Sequence, residues 1–213
     1  MSAGQWRLIK GRLRVQPAQP PVKVLPPAQL RRMRGREQVA AVCYRLRNKC
    51  IEFLLVQTSG GRWTFPKGST EPGLTHAQAA ALEAFEEAGV HGRMEEAAFA
   101  RYVRRKRSEA RNHSAVAVAV CAFLCEVSWL GPPQESGRNP SWFSPEKTKR
   151  RLREDRAASA GAEFARVVDR AVARIQRFRT GTVATDGLRR VQFAIDHRPL
   201  KMLMAKAAAR RDH

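Results

Sequence analysis

The chain has 213 residues, room for one ordinary catalytic or binding domain of about 120 to 150 residues with extensions on either side. Its 40 Lys and Arg against 19 Asp and Glu leave a formal charge of +21, which favours polyanionic partners and says nothing about fold. No apolar run approaches the roughly 18 residues of a membrane span, and no apolar segment follows the basic N-terminus as a secretory signal requires, so a soluble, cytoplasmic protein is expected.

Residues 1–36 carry nine basic residues, five prolines and no acid. Too little apolar surface is available there to offset the entropy of ordering, and a mobile basic arm is expected. The Arg-rich, acid-free composition also fits an organelle transit peptide. From Gln38 to Arg45 and from Ile51 to Gln57, runs rich in Val, Leu, Ile and Phe flank Arg47-Asn48-Lys49, which predicts two strands around a turn. A third short strand is expected at Arg62 to Phe65.

Pro66, Gly68, Pro72 and Gly73 make the next stretch a loop, after which Thr75 and Gln78 form a T-x-x-Q capping box that starts a helix. Gly89, a residue suited to the left-handed conformation, ends it. Ala81, Phe85 and Ala88 are expected to meet a core. Ser114 to Val127 is apolar on both alternating faces, as in a central strand covered on both sides. A Gly and Pro loop follows over residues 128–141, then an apolar edge at Trp142-Phe143 and a basic helix from Pro145 to Arg153. Phe164, Val167, Val168, Ala171, Val172, Ile175 and Phe178 recur at helical spacing and predict a long amphipathic helix, followed by a short basic tail. Cys43, Cys50, Cys121 and Cys125 lack zinc-site spacing and are expected as buried thiols; His76, His91, His113 and His197 are expected to be structural.

Glu83, Glu86 and Glu87 stand at i, i+3 and i+4 of the capped helix, within an arc of about 100°. Such a triad is either a solvated acidic face or a site for a hard divalent cation, Mg²⁺ or Mn²⁺, which would relieve the mutual repulsion. The loop Trp63-Thr64-Phe65-Pro66-Lys67-Gly68 aimed at this helix favours the second reading. Arg101, Arg104, Arg105, Lys106, Arg107 and Arg111, with Glu109 the single acid among them, form a basic strip that is either a solvated loop or a clamp for polyphosphate.

Gly68, Glu83, Ala84, Glu86, Glu87, Gly89 and Val90 fall at the spacings of G-x5-E-x7-R-E-U-x-E-E-x-G-U, where U is apolar, and the segment resembles the box of the Nudix hydrolases. Leu74 and Leu82 stand where that pattern carries its first Glu and its Arg; Glu71 is a further candidate for acidic charge. The likeness spans about residues 37–153, and Glu71-Pro72-Gly73, Gly137-Arg138 and Trp142-Phe143 are similar to the diphosphoinositol-polyphosphate and diadenosine-polyphosphate branch. It implies an α/β/α sandwich with a mixed central sheet at residues 37–153, between the arm at 1–36 and a basic helical extension at 154–213. It further implies hydrolysis of a diphosphate linkage in a dinucleoside polyphosphate, a diphosphoinositol phosphate or a nucleotide. In that reading Glu83, Glu86, Glu87 and the Gly68 carbonyl hold Mg²⁺ or Mn²⁺, Glu83 or Glu87 accepts the proton, and Lys67, Arg101, Arg104, Arg105 and Arg107 meet phosphate. Trp142 and Phe143 are candidates for stacking on a base. The alternatives are a nucleic-acid-associated binding protein with a weakened box, held to RNA or DNA by arm and tail, and an RNA-end pyrophosphohydrolase.

Overall fold

A computed structural model describes residues 37–107, 115–180 and 190–192. The expected arm at 1–36, Arg111, His113, His197 and all but three residues of the tail beyond Thr180 lie outside the described residues.

The first strands follow from their sequence. β1 (Gln38–Arg47) and β2 (Cys50–Gln57) are antiparallel and joined by Asn48 and Lys49, both at positive φ (50° and 66°). A two-residue turn of that hand matches the twist of the strands it connects. Two short strands follow, β3 (Trp63–Thr64) against β2 and β4 (Lys67–Ser69) against β1. Helix α1 (His76–Ala88) starts at Thr75, whose hydroxyl accepts from the Gln78 N–H while the Gln78 side chain accepts from the Thr75 N–H. It ends at Gly89 in the left-handed region (φ 63°, ψ 27°).

Then come β5 (Val90–Glu95), β6 (Ala100–Arg107), β7 (Ala115–Leu130), β8 (Ser141–Phe143), helix α2 (Pro145–Arg153), helix α3 (Ala158–Arg179) and β9 (Arg190–Gln192). Among the described residues nine strands form one sheet with the path β3-β2-β1-β7-β5-β9; β4 pairs with β1, β6 with β7 and β8 with β2. β1 and β7 run parallel, Val39 opposite Cys121 and Cys43 opposite Cys125, and the other pairings are antiparallel. The sheet is therefore mixed. With α1 on one face and α3 on the other, it forms the three layers of an α/β/α sandwich.

Alternation along β1 shows how the layers are held. Val39, Ala41 and Cys43 pack with Ala77, Ala80, Ala84 and Ala88 of α1; Ala40, Val42 and Tyr44 pack with Phe164, Val167, Val168, Ala171 and Ile175 of α3. Each large apolar side chain so buried contributes about 1.5 to 3 kcal/mol. Arg174 of α3 also reaches Glu95 of β5, 2.7 Å away and 3% exposed, which fixes the helix along the sheet. Among the described residues no helix is long and apolar enough to cross a membrane.

Several expectations change. The basic strip is not a loop: through Arg107 it is strand β6, and period 2 puts Arg104 on one face and Arg101 and Arg105 on the other. β7 runs on to Leu130, so the loop before β8 covers only 131–140. The alanines at 77, 80, 84 and 88 make the core face of α1, whereas Phe85 is half-buried and meets His91 edge-on at 5.5 Å. Leu82 is half-buried and packs in neither core. Cys43, Cys121 and Cys125 are buried thiols, but Cys50 is exposed.

Candidate active site

The stretch around Gly68, expected as a loop, is strand β4 over Lys67–Ser69, and its register brings Gly68 onto the helix. β4 lies beside β1 with Gly68 opposite Val39 and Lys67 opposite Ala40. Gly68 therefore faces the α1 side, and a Cβ built there would fall on the Glu83 carboxylate. Only a residue without a side chain lets that carboxylate rest against the strand. One turn further along α1, Glu87 is 2% exposed and accepts the Lys67 backbone N–H at 3.1 Å.

Besides Lys67, Glu87 has a counter-charge from far along the chain. Arg138, in the loop between β7 and β8, reaches it with Nη2 at 2.9 Å and contacts Glu135 with the same nitrogen at 2.6 Å. Its Nε donates to Glu135 at 2.7 Å. The loop is itself docked on the helix end. The amides of Gln134 and Glu135 donate to the Glu86 carbonyl, and the Gly131 amide donates to the Gly89 carbonyl. On the other side the Gln57 amide donates to the Arg138 carbonyl at 2.6 Å, and Asn139 Nδ2 donates to the Gln57 side chain.

The titrations reflect this crowding. Glu83 is pushed up to about 7, first by burial and then by the charges of Glu87, Glu86 and Glu135, with Lys67 pulling the other way. Burial also raises Glu87, while Lys67 and Arg138 oppose the shift. The Lys67 ammonium is lowered by burial and by Arg104 and Arg138, against the pull of Glu87 and Glu83. Lys67, Glu83, Glu87, Glu135, Arg104 and Arg138 are thus one electrostatic cluster.

The remaining candidates are dispersed. Arg104 is half-buried, on the α3 side of the sheet with Tyr102, and its Nη1 donates to the Gln38 side chain at 3.1 Å. Arg101 and Arg105 project from the opposite face and are exposed. Phe143 is buried in a T-shaped contact with Trp63, and Trp142 is half-buried under the Arg45 guanidinium, 4.2 Å from its ring centre. Both rings are engaged in packing, Phe143 in the core on the α3 side and Trp142 against the core on the α1 side. Sequence reasoning gave Arg138 no role at the site, since it lies 51 positions from Glu87 without a shared period. The signal in the sequence is the Gly137-Arg138 pair of the resemblance; in the structure Gly137 takes φ 75°.

As the side chains stand, no three His, Cys, Asp or Glu among the described residues close on a common point suited to a metal ion. The donor chemistry fits a hard cation nonetheless. Glu83 and Glu87 lie one turn apart on one helix face, and the Glu83 carboxyl, raised first by burial and then by the charges of Glu87, Glu86 and Glu135, is a group whose repulsion a cation would relieve.

A family model for the NUDIX domain matches residues 36–164, more than half of the chain. The chain belongs to the Nudix family. Over 45 residues this Nudix chain is 53% identical to the asymmetrical bis(5'-nucleosyl)-tetraphosphatase of Sus scrofa, a stretch covering 20% of this chain and 31% of that protein. The chain thus spans about a third of the length of the curated relative it matches. A C. elegans Ap4A hydrolase, solved as a binary complex, superposes with a TM-score of 0.51 at 23% identity, over 66% of this chain and 98% of that one. At that identity the likeness is one of fold, and it places the sheet and flanking helices of this Nudix domain in the family's architecture.

Proposed function

We propose that the protein is a divalent-metal-dependent pyrophosphohydrolase that cleaves a diphosphate linkage in a polyphosphorylated substrate, a dinucleoside polyphosphate being the first candidate. The observation that carries this reading is the Glu83 carboxylate seated against Gly68, beside Glu87 and within electrostatic reach of Lys67. The 53% identity to the porcine tetraphosphatase lies within one short stretch and supports the same substrate class.

Glu83, Glu86 and Glu87 would hold Mg²⁺ or Mn²⁺, with the Gly68 carbonyl as a further oxygen donor. When bound, the cation supplies a more acidic water and offsets charge on the phosphate oxygens. The reaction is water attack on one phosphorus of X–O–P–O–P–Y, with the P–O bond to the leaving phosphate breaking as the new one forms. Of the two candidates for proton acceptor Glu83 is favoured, because both Glu87 oxygens already accept from Arg138 and the Lys67 amide. Lys67 and Arg104 add positive charge for the phosphates, Lys67 from β4 and Arg104 from β6.

The test is release of phosphate or nucleotide from a panel of diadenosine polyphosphates, diphosphoinositol phosphates, nucleoside triphosphates and 5'-triphosphorylated RNA, with Mg²⁺, Mn²⁺ or chelator. Glu83→Gln and Glu87→Gln should each lower kcat by at least about a hundredfold, the scale of losing one preorganised charge at a transition state. Turnover in chelator, or wild-type rates in either variant, would overturn the mechanism. Salt-dependent RNA binding without turnover on any substrate would favour a binding protein instead.

A further inference from the structure

We propose that Arg138 is the positioning residue of the carboxylate cluster: reaching in from the loop between β7 and β8, it holds Glu87 in place for a helix that has no cation of its own. This rests on the hydrolase reading above and goes beyond it in assigning a role to a residue outside the motif.

Helix α1 reads HAQAAALEAFEEA, three glutamates without a Lys or Arg, and Leu82 occupies the position where the motif's pattern places an arginine. Glu87 is nevertheless 2% exposed. A carboxylate withdrawn from water that far needs a charged partner and further donors, or it takes up a proton. The partner is Arg138 at 2.9 Å, and the second donor is the Lys67 amide at 3.1 Å on the other oxygen. Both oxygens are therefore oriented, one from strand β4, which carries Gly68, and one from the loop at 131–140.

Arg138 is itself fixed on several sides. Glu135 takes Nε at 2.7 Å and Nη2 at 2.6 Å, and the Arg138 carbonyl accepts the Gln57 amide. Two contacts from one planar guanidinium, to Glu135 and to Glu87, set the direction from which Glu87 is approached. The docking of residues 134 and 135 on the Glu86 carbonyl ties the same loop to the helix turn bearing the carboxylates. The geometry makes the guanidinium part of the carboxylate arrangement.

The experiment is a double-mutant cycle with Arg138→Gln, Glu87→Gln and the pair, read as kcat and KM separately on the best substrate. Arg138→Gln should lower kcat by about ten- to a hundredfold, the usual loss when a group orienting a site residue is removed, with KM little changed. In the Glu87→Gln background the same change should alter kcat by no more than about twofold, because a residue that acts through Glu87 has nothing left to act on. An equal loss of kcat in both backgrounds, or a loss confined to KM, would overturn the proposal and make Arg138 a direct substrate contact. If Arg138→Gln does not fold, Arg138→Lys takes its place in the cycle with the same two outcomes, since one ammonium cannot reproduce the guanidinium's contacts with Glu87 and Glu135. If the wild type hydrolyses nothing in the panel, the hydrolase reading fails by itself. The cycle then runs on thermal melts in chelator: a double variant less destabilised than the sum of the singles supports the pairing, and additive losses overturn it.

Discussion

The carboxylate of Glu83 occupies the space in which a side chain at Gly68 would stand. The two residues are 15 positions apart and come from different elements, yet each defines what the other can be. Glu83 can move, because its carboxylate is the end of a flexible side chain. Gly68→Ala should therefore displace the carboxylate while the backbone stays, costing less stability than the roughly 1 to 3 kcal/mol of overpacking a rigid core. The proposed reaction should suffer far more, with kcat down by about tenfold or more, since a small misplacement of a reacting group is expensive. Calorimetric melts beside kcat check this: a large drop in Tm with activity retained would mean that the methyl is absorbed by the strand.

The raised affinity of Glu83 for a proton makes stability depend on pH. Its carboxyl titrates near 4.5 when unfolded and at about 7 when folded, so the folded state binds the proton more tightly. The associated stability is complete below about 4.5 and is lost as pH rises through 7. Solvent around the half-buried group screens the effect to roughly 1 to 2 kcal/mol. In chelator at pH 8, Glu83→Gln should thus melt above wild type by a few degrees, and at pH 4 the difference should vanish. A variant melting below wild type at pH 8 would contradict the buried, repelled carboxylate.

The sequence made the ends of this domain's central elements visible and left its middle obscure. Thr75, Gln78 and Gly89 set the limits of α1 because caps are local chemistry, and β1 and β2 showed because apolar runs flank a two-residue turn. β5 escaped because Val90–Glu95 mixes His, Gly, Arg and Glu and has no apolar alternation. β6 escaped because its arginines masked a strand whose buried side is only Ala100 and Tyr102 along the part with described side chains. The spacing of Glu83, Glu86 and Glu87 was legible from helix geometry. The Glu87–Arg138 pair was not, since only the folded sheet brings the 131–140 loop against α1.

Leu82 illustrates the difference between a helical wheel and a packed helix. As a leucine next to Ala81 and three residues before Phe85, both expected at a core, Leu82 reads from the sequence as part of the apolar half of α1, where an introduced charge would destabilise the fold. In the structure the core contacts belong to the alanines, and Leu82 is half-buried outside both cores. Leu82→Arg should accordingly change stability by no more than about 1 kcal/mol, as a long side chain can lay its stem on the surface and keep its charge in water. Chemical denaturation measures this, and a loss above about 2 kcal/mol would restore the packed reading.

The basic strip should divide into one residue that selects for phosphate number and others that do not. Along β6 successive side chains alternate, with Tyr102 and Arg104 toward α3 and Arg101, Val103 and Arg105 on the opposite face. Arg104 is the member whose charge is felt at Lys67, where it lowers the ammonium's proton affinity; it is half-buried, so its field is screened less. A cation held there interacts with each phosphate added near Lys67, whereas an exposed Arg105 adds a diffuse attraction that salt removes. Arg104→Ala should therefore lower kcat/KM for a five-phosphate dinucleotide more than for a nucleoside triphosphate, by about one to a few kcal/mol. Arg105→Ala, and deletion of residues 1–36, should leave that ratio unchanged. Measurements at two ionic strengths separate the effects, because the Arg104 contribution should persist at the higher salt. Equal losses on long and short substrates in Arg104→Ala would return Arg104 to a role in holding Gln38, and a changed ratio in Arg105→Ala would move the phosphate path to the α1 side of the sheet.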